Sequence, residues 1–118
     1  MALSRIVFMS KKLREKFGVE GIVASRYLEA GYSVRIGFNT PRGRLSIIAK
    51  KEGKVLAIDV VHEKRLVTSN DIVEISEKAK SINAKPILVI YGRGPKVSNE
   101  AKEKAKELGV EIKFIKTS

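Results

Sequence analysis

The chain is expected to fold as an α/β protein in which helices cover both faces of one mixed β-sheet. Three observations lead there. Alternating apolar residues with a hairpin-type break occupy residues 32–61, the pattern of antiparallel neighbours. The run Pro86-Ile87-Leu88-Val89-Ile90-Tyr91 is apolar without alternation, as a strand covered on both faces requires. Helical and strand patterns then alternate through the rest of the chain, and parallel strands joined in this way need crossover helices.

The elements follow in order. Residues 3–9 read as a short extra strand or a loose N-terminal arm. From Ser10 onward Leu13, Phe17, Glu20, Ala24, Tyr27 and Leu28 lie on one stripe at helical spacing. Gly18 weakens the middle of that stretch, which fits two helices as well as one, and Gly31 is a natural stop. Tyr32 to Phe38 alternates as a strand, and Asn39 to Gly43 is a basic, turn-rich loop. Leu45 to Lys50 and Lys54 to Val61 read as a hairpin around Lys51-Glu52-Gly53. After a charged connection, Thr68 or Ser69 caps a helix with the stripe Ile72, Ile75, Ala79 and Ile82. Gly92-Arg93-Gly94-Pro95 ends the Pro86 strand. Ser98 caps a last helix with Ala101, Ala105 and Leu108 inward, Gly109 ends it, and Val110 to Lys116 is the closing strand. At 118 residues the expectation is one domain spanning 1–118, with 1–9 as its arm or extra strand.

Composition narrows the function. Lys and Arg number 24 against 13 Asp and Glu, a net charge of +11. Such a surplus favours a polyanionic partner, because basic side chains that neutralise phosphates release condensed counterions. The absence of cysteine excludes disulfides and thiolate zinc sites, and the single His62 excludes a multi-histidine centre within one chain. No apolar stretch approaches the ~20 residues of a membrane span, and residues 3–9 lack a signal-peptide core. A cytoplasmic protein is expected. Richness in Lys and Glu without Cys also fits a thermophilic source.

The chemical anomaly is Asp59, a carboxylate inside Val55-Leu56-Ala57-Ile58-Asp59-Val60-Val61. An unpaired buried charge costs several kcal/mol or more, so a cation, a metal or a proton has to compensate it. Glu20 repeats the anomaly on the first helix, between Phe17 and Ala24, where a carboxylate points toward the sheet, and the Ser10–Ala30 helix is expected to cover Asp59. Two such acids brought together repel unless a cation lies between them, and Mg²⁺ needs few protein carboxylates. The plainer reading is a buried ion pair of Asp59 with Arg44, Lys50 or another lysine.

The order of elements and these acids resemble the restriction-endonuclease-like nucleases with a PD-(D/E)xK motif, most of all archaeal Holliday-junction resolvases, over about residues 18–116. Gly18-Val19-Glu20, opening a helix that ends at Ala30-Gly31-Tyr32, is similar to the family's first helix and its metal-site Glu. Leu45-Ser46-Ile47-Ile48-Ala49 resembles the strand with the family's first Asp. Ala57-Ile58-Asp59-Val60-Val61 resembles the strand with the acid-x-Lys pair. The resemblance implies an Mg²⁺ site at Glu20 and Asp59, a DNA substrate of duplex or branched form, and a two-fold homodimer.

In that register Ser46 stands where the ligating Asp belongs and Val61 where the catalytic Lys belongs. Phosphodiester hydrolysis needs a metal to activate water and a cation for the developing charge. Losing a ligand and the Lys costs about 2–4 kcal/mol of transition-state stabilisation each, so a degenerate, inactive site is expected. Lys50 or Lys64 swinging in would give the alternative, an active endonuclease with an altered site. His62 lies on the opposite strand face and fits a solvent-facing side chain better. A noncatalytic subunit of a repair complex is the third reading. Arg42 and Arg44 beside the site, Lys64 and Arg65 on the next connection, and Arg93 and Lys96 around the Gly-Pro turn are the candidate nucleic-acid contacts, clustered on loops, two of them glycine-containing, that position a backbone without reading sequence.

Overall fold

A computed structural model describes residues 2–117. The element order is α1 (Ala2–Glu29), β1 (Ser33–Thr40), β2 (Gly43–Lys51), β3 (Lys54–Val61), β4 (Leu66–Val67), α2 (Ser69–Ser81), β5 (Lys85–Tyr91), β6 (Lys96–Val97), α3 (Asn99–Leu108) and β7 (Glu111–Ile115). The main sheet runs β1-β2-β3-β5-β7; its first three strands are antiparallel, and β3, β5 and β7 are parallel. The tiny β4 and β6 form a separate parallel pair just beyond the ends of β3 and β5.

The sheet has a core on each face. On one, α2 and α3 pack Ile72, Ile75, Ala79, Ala101 and Ala105 against Ala57, Val61, Leu88 and Ile90. On the other, α1 packs Val23 and Ala24 against Ile47, Leu56, Ile58 and Val89. Each fully buried Ile or Val on these faces contributes about 1.5–3 kcal/mol relative to exposure. The ends of α2 and α3 follow their sequence signals. The Asp71 carboxylate accepts the Thr68 backbone N–H at 2.8 Å, and the Ser98 hydroxyl accepts that of Ala101 at 3.0 Å.

Two expectations change. Residues 3–9, expected as a strand or an arm, are helical and continue into the rest of α1. That helix is broken once, at Gly18, whose φ of 59° and ψ of −130° are not helical. The chain turns so sharply there that a Cβ at Gly21 would collide with the backbone carbonyl of Leu13. Only glycine permits this approach, and the turn fixes where Glu20 emerges. The second correction concerns which helix covers Asp59. The expectation was α1. Asp59 alternates with Ala57 and Val61, which face α2 and α3, so α1 covers the opposite side of the sheet.

Candidate functional site

The β2–β3 ladder runs from Lys51↔Lys54 to Ile47↔Ile58 and stops short of Ser46 and Asp59. There side chains replace the backbone pairing. Asp59 Oδ1 accepts the Ser46 backbone N–H at 2.9 Å, and the Ser46 hydroxyl accepts the Val60 backbone N–H at 3.1 Å. Ser46, only 6% exposed, therefore clips the two strands together. The second carboxylate oxygen of Asp59 meets Lys78 Nζ of α2 at 2.9 Å, in a pair whose side chains are 16% and 20% exposed. The same ammonium donates to the Arg44 carbonyl at 2.8 Å. Asp59 is thus compensated by a lysine of the chain, neither Arg44 nor Lys50.

Arg44 links this pair to Glu20. Its guanidinium donates to both Glu20 oxygens, at 3.1 and 3.3 Å. The Glu20 hydrogen bond raises its pKa further, burial acts against this, and the charges of Glu20 and Asp59 add to the rise. One residue thus touches α1 with its side chain and the Lys78 ammonium with its backbone. Two glycines make room for this. A Cβ on Gly37 would sit 3.1 Å from the Arg44 guanidinium, and one on Gly43 would sit 3.3 Å from Lys78 Cε. Sequence reasoning missed Lys78; the glycines Gly37 on β1 and Gly43 at the start of β2 were the available signal.

The donor set does not fit a divalent cation. Glu20 and Asp59 each hold a cationic side chain, and Ser46 is a neutral ligand already engaged. Among the described residues no three His, Cys, Asp or Glu come together as a metal centre would need. Val61 is 4% exposed and packs with Leu45, Val67 and Ile72, so a lysine there would bury its ammonium in a core. His62 is exposed, as expected.

The basic candidates divide into two groups. Arg42 pairs with Glu77 through one nitrogen at 3.1 Å to both oxygens, and Arg65 pairs with Asp71 at 3.0 Å. With Arg44 on Glu20, three of the six cations are already matched. Lys64, Arg93 and Lys96 are exposed and have no salt-bridge partner among the described residues. They come together because a Cβ on Gly94 would lie 3.3 Å from the Lys64 backbone and Lys96 donates its N–H to the Arg65 carbonyl at 2.9 Å. This cluster lies past the C-terminal ends of parallel β3 and β5, where open α/β sheets commonly bind ligands.

Among the described residues no helix is long and apolar enough to cross a membrane. No protein-family model and no curated protein matches the chain. Solved structures do. A repair endonuclease from Pyrococcus abyssi superposes with a TM-score of 0.62 at 16% identity, over 93% of this chain and 46% of that one. EndoMS in a complex with double-stranded DNA gives 0.55 at 11% identity, over 76% of this chain and 38% of that one. Pyrococcus furiosus SfsA in complex with Ca²⁺ gives 0.54 at 18% identity, over 91% and 57%. The chain therefore has the restriction-endonuclease-like α/β core anticipated from its sequence. It spans about half the length of these neighbours or less.

Proposed function

We propose that this chain is a DNA-binding protein of nuclease fold whose own catalytic centre does not cut. One observation carries the reading: each of the two acids that would hold a metal is instead held by a cation of the chain, Asp59 by Lys78 and Glu20 by Arg44. Ser46 acting as a strand clip and Val61 acting as a core residue support it. The net charge of +11 and the unmatched Lys64, Arg93 and Lys96 support a nucleic-acid partner. The neighbouring fold is used by a repair endonuclease and by a protein in complex with double-stranded DNA, which favours duplex or branched DNA as that partner. On this reading the protein works in the cytoplasm as a homodimer and keeps the junction-binding surface of a resolvase without its chemistry. A noncatalytic subunit role is favoured by a separate observation, the exposed apolar run Val7, Phe8 and Met9 at 61%, 53% and 46%.

The test is a junction assay. The protein is expected to shift labelled Holliday junctions and duplexes in gels at low salt, with no cleavage in Mg²⁺ or Mn²⁺. Metal-dependent cutting by the parent that is abolished in Asp59→Asn would establish an active altered site and overturn the reading. Absence of any shift would leave the subunit role ahead.

A further inference from the structure

A second surface lies on the opposite face of the sheet from Asp59 and at the opposite end of the parallel strands from the Lys64 cluster. It is a groove of about 650 Å³ between the end of α1 and the starts of β3, β5 and β7. That volume is within the range of sites that enclose small organic groups. Its lining includes the apolar Leu56, Ile87 and Val89, which are 6% exposed or less. Tyr27 and Tyr32 line it as well, their rings edge to face at 5.7 Å. Four cations, Arg26, Lys54, Lys85 and Lys113, stand around it against one carboxylate, Glu111. Glu111 is shared between Lys85 at 3.2 Å and Lys113 at 3.8 Å, and Lys113 Nζ lies 5.5 Å from the Tyr27 ring centre. The lining keeps a net charge of +3, and two of its cations, Arg26 and Lys54, have no salt-bridge partner among the described residues.

An apolar, tyrosine-walled interior with a cationic rim suits a flat ring carrying phosphate. A duplex does not fit such a concavity with its bases already stacked, whereas an unpaired strand presents both base faces and backbone. Three of the rim cations, Lys54, Lys85 and Lys113, stand on adjacent strands, about 10 Å across at the usual strand spacing, and Arg26 adds a fourth from α1, so the rim exceeds one phosphate. We infer that this groove holds an unpaired stretch of a DNA strand, one or two bases against Tyr27 and the apolar interior, with phosphates on Lys54 and Arg26. The inference rests on the nucleic-acid reading above but concerns a different face.

Fluorescence anisotropy with a labelled 12-nucleotide oligo-dT and a 20-base-pair blunt duplex separates the two. Lys54→Ala with Arg26→Ala, both exposed side chains with no salt-bridge partner among the described residues, is expected to weaken oligo-dT binding at least tenfold. It should also flatten that probe's salt slope by about 1.4 units, and leave duplex binding within twofold. Tyr27→Ala is expected to cost oligo-dT about 5- to 100-fold, with Tyr27→Phe close to the parent. Where Tyr27→Ala fails to fold, ultraviolet crosslinking of a bromodeoxyuridine oligonucleotide, mapped to Tyr27 or Tyr32, gives the same answer. Unchanged oligo-dT affinity in the Lys54 and Arg26 double variant, or equal loss for both probes, overturns the groove while the duplex reading stands. Displacement of oligo-dT by equimolar dTMP or by oligo-glutamate also overturns it, in favour of a free nucleotide or an acidic peptide. Groove-dependent oligo-dT binding without any duplex binding supports the groove and sinks the duplex reading.

Discussion

Asp59 was visible in the sequence because a carboxylate stands among six apolar residues, and an ion pair was the physically cheapest resolution. Its partner was not visible. Lys78 is one of two lysines on α2, and only the way α2 packs on the sheet brings it, and not Lys80, to the carboxylate. The pair is mostly buried, which makes each member costly to remove alone. Lys78→Met leaves Asp59 facing a core with only the Ser46 N–H, and should destabilise the fold by about 2–4 kcal/mol. Asp59→Asn with Lys78→Met removes both charges together, so the double variant should lose at least about 1 kcal/mol less than the sum of the singles. Urea denaturation of the four proteins measures this coupling. Strict additivity would mean that the ammonium does not compensate the carboxylate.

At the level of elements, periodicity located the strands and the helices α2 and α3 because each has one clear apolar stripe. It failed where the pattern was too short or too mixed. The two-residue strands β4 and β6 carry no periodicity, and residues 3–9 hold apolar side chains without a helical stripe, so their helix comes from continuation into Lys11–Phe17. Alternation showed that Asp59 and Val61 share a face; it did not tell which helix covers that face. Gly21 is the instructive residue. In sequence it is only a weak spot in a helix, worth about 1 kcal/mol against alanine. In the fold it is where two helical stretches touch, with no space for a methyl group beside the Leu13 carbonyl. Gly21→Ala should therefore destabilise, by about 1–3 kcal/mol or more, because backbone must move. Gly109→Ala, with φ of 71° and open space around it, should cost only about 1–2 kcal/mol for the left-handed conformation. Thermal melts followed by circular dichroism compare them; Gly21→Ala melting above Gly109→Ala would contradict the sharp turn that presents Glu20 to Arg44.

For the molecule as a whole, the fold class was legible because hairpin, apolar run and crossover signals agreed with one another, whereas the usefulness of each positive charge depends on neighbours distant in sequence. Arg42, Arg44 and Arg65 looked equivalent to Lys64, Arg93 and Lys96 as phosphate contacts. The fold separates them, since Glu77, Glu20 and Asp71 already neutralise the first three. A phosphate approaching those arginines has to displace a carboxylate and then remain beside it, which offsets much of the attraction. Duplex binding should therefore depend mainly on the unmatched cluster. Lys64→Ala, Arg93→Ala and Lys96→Ala combined should flatten the plot of log affinity against log salt by as much as ~2.7 units, at ~0.9 per phosphate released. Arg42→Ala with Arg44→Ala should change it by well under the ~1.8 units that two free contacts would give. Restoring the charge balance supplies the control: Glu77→Gln frees Arg42, and should steepen the slope and tighten binding at low salt. Anisotropy titrations of a blunt duplex from low to moderate salt decide the matter. A larger loss from the arginine pair than from the Lys64 cluster would move the DNA-contacting surface to the Asp59 side of the sheet.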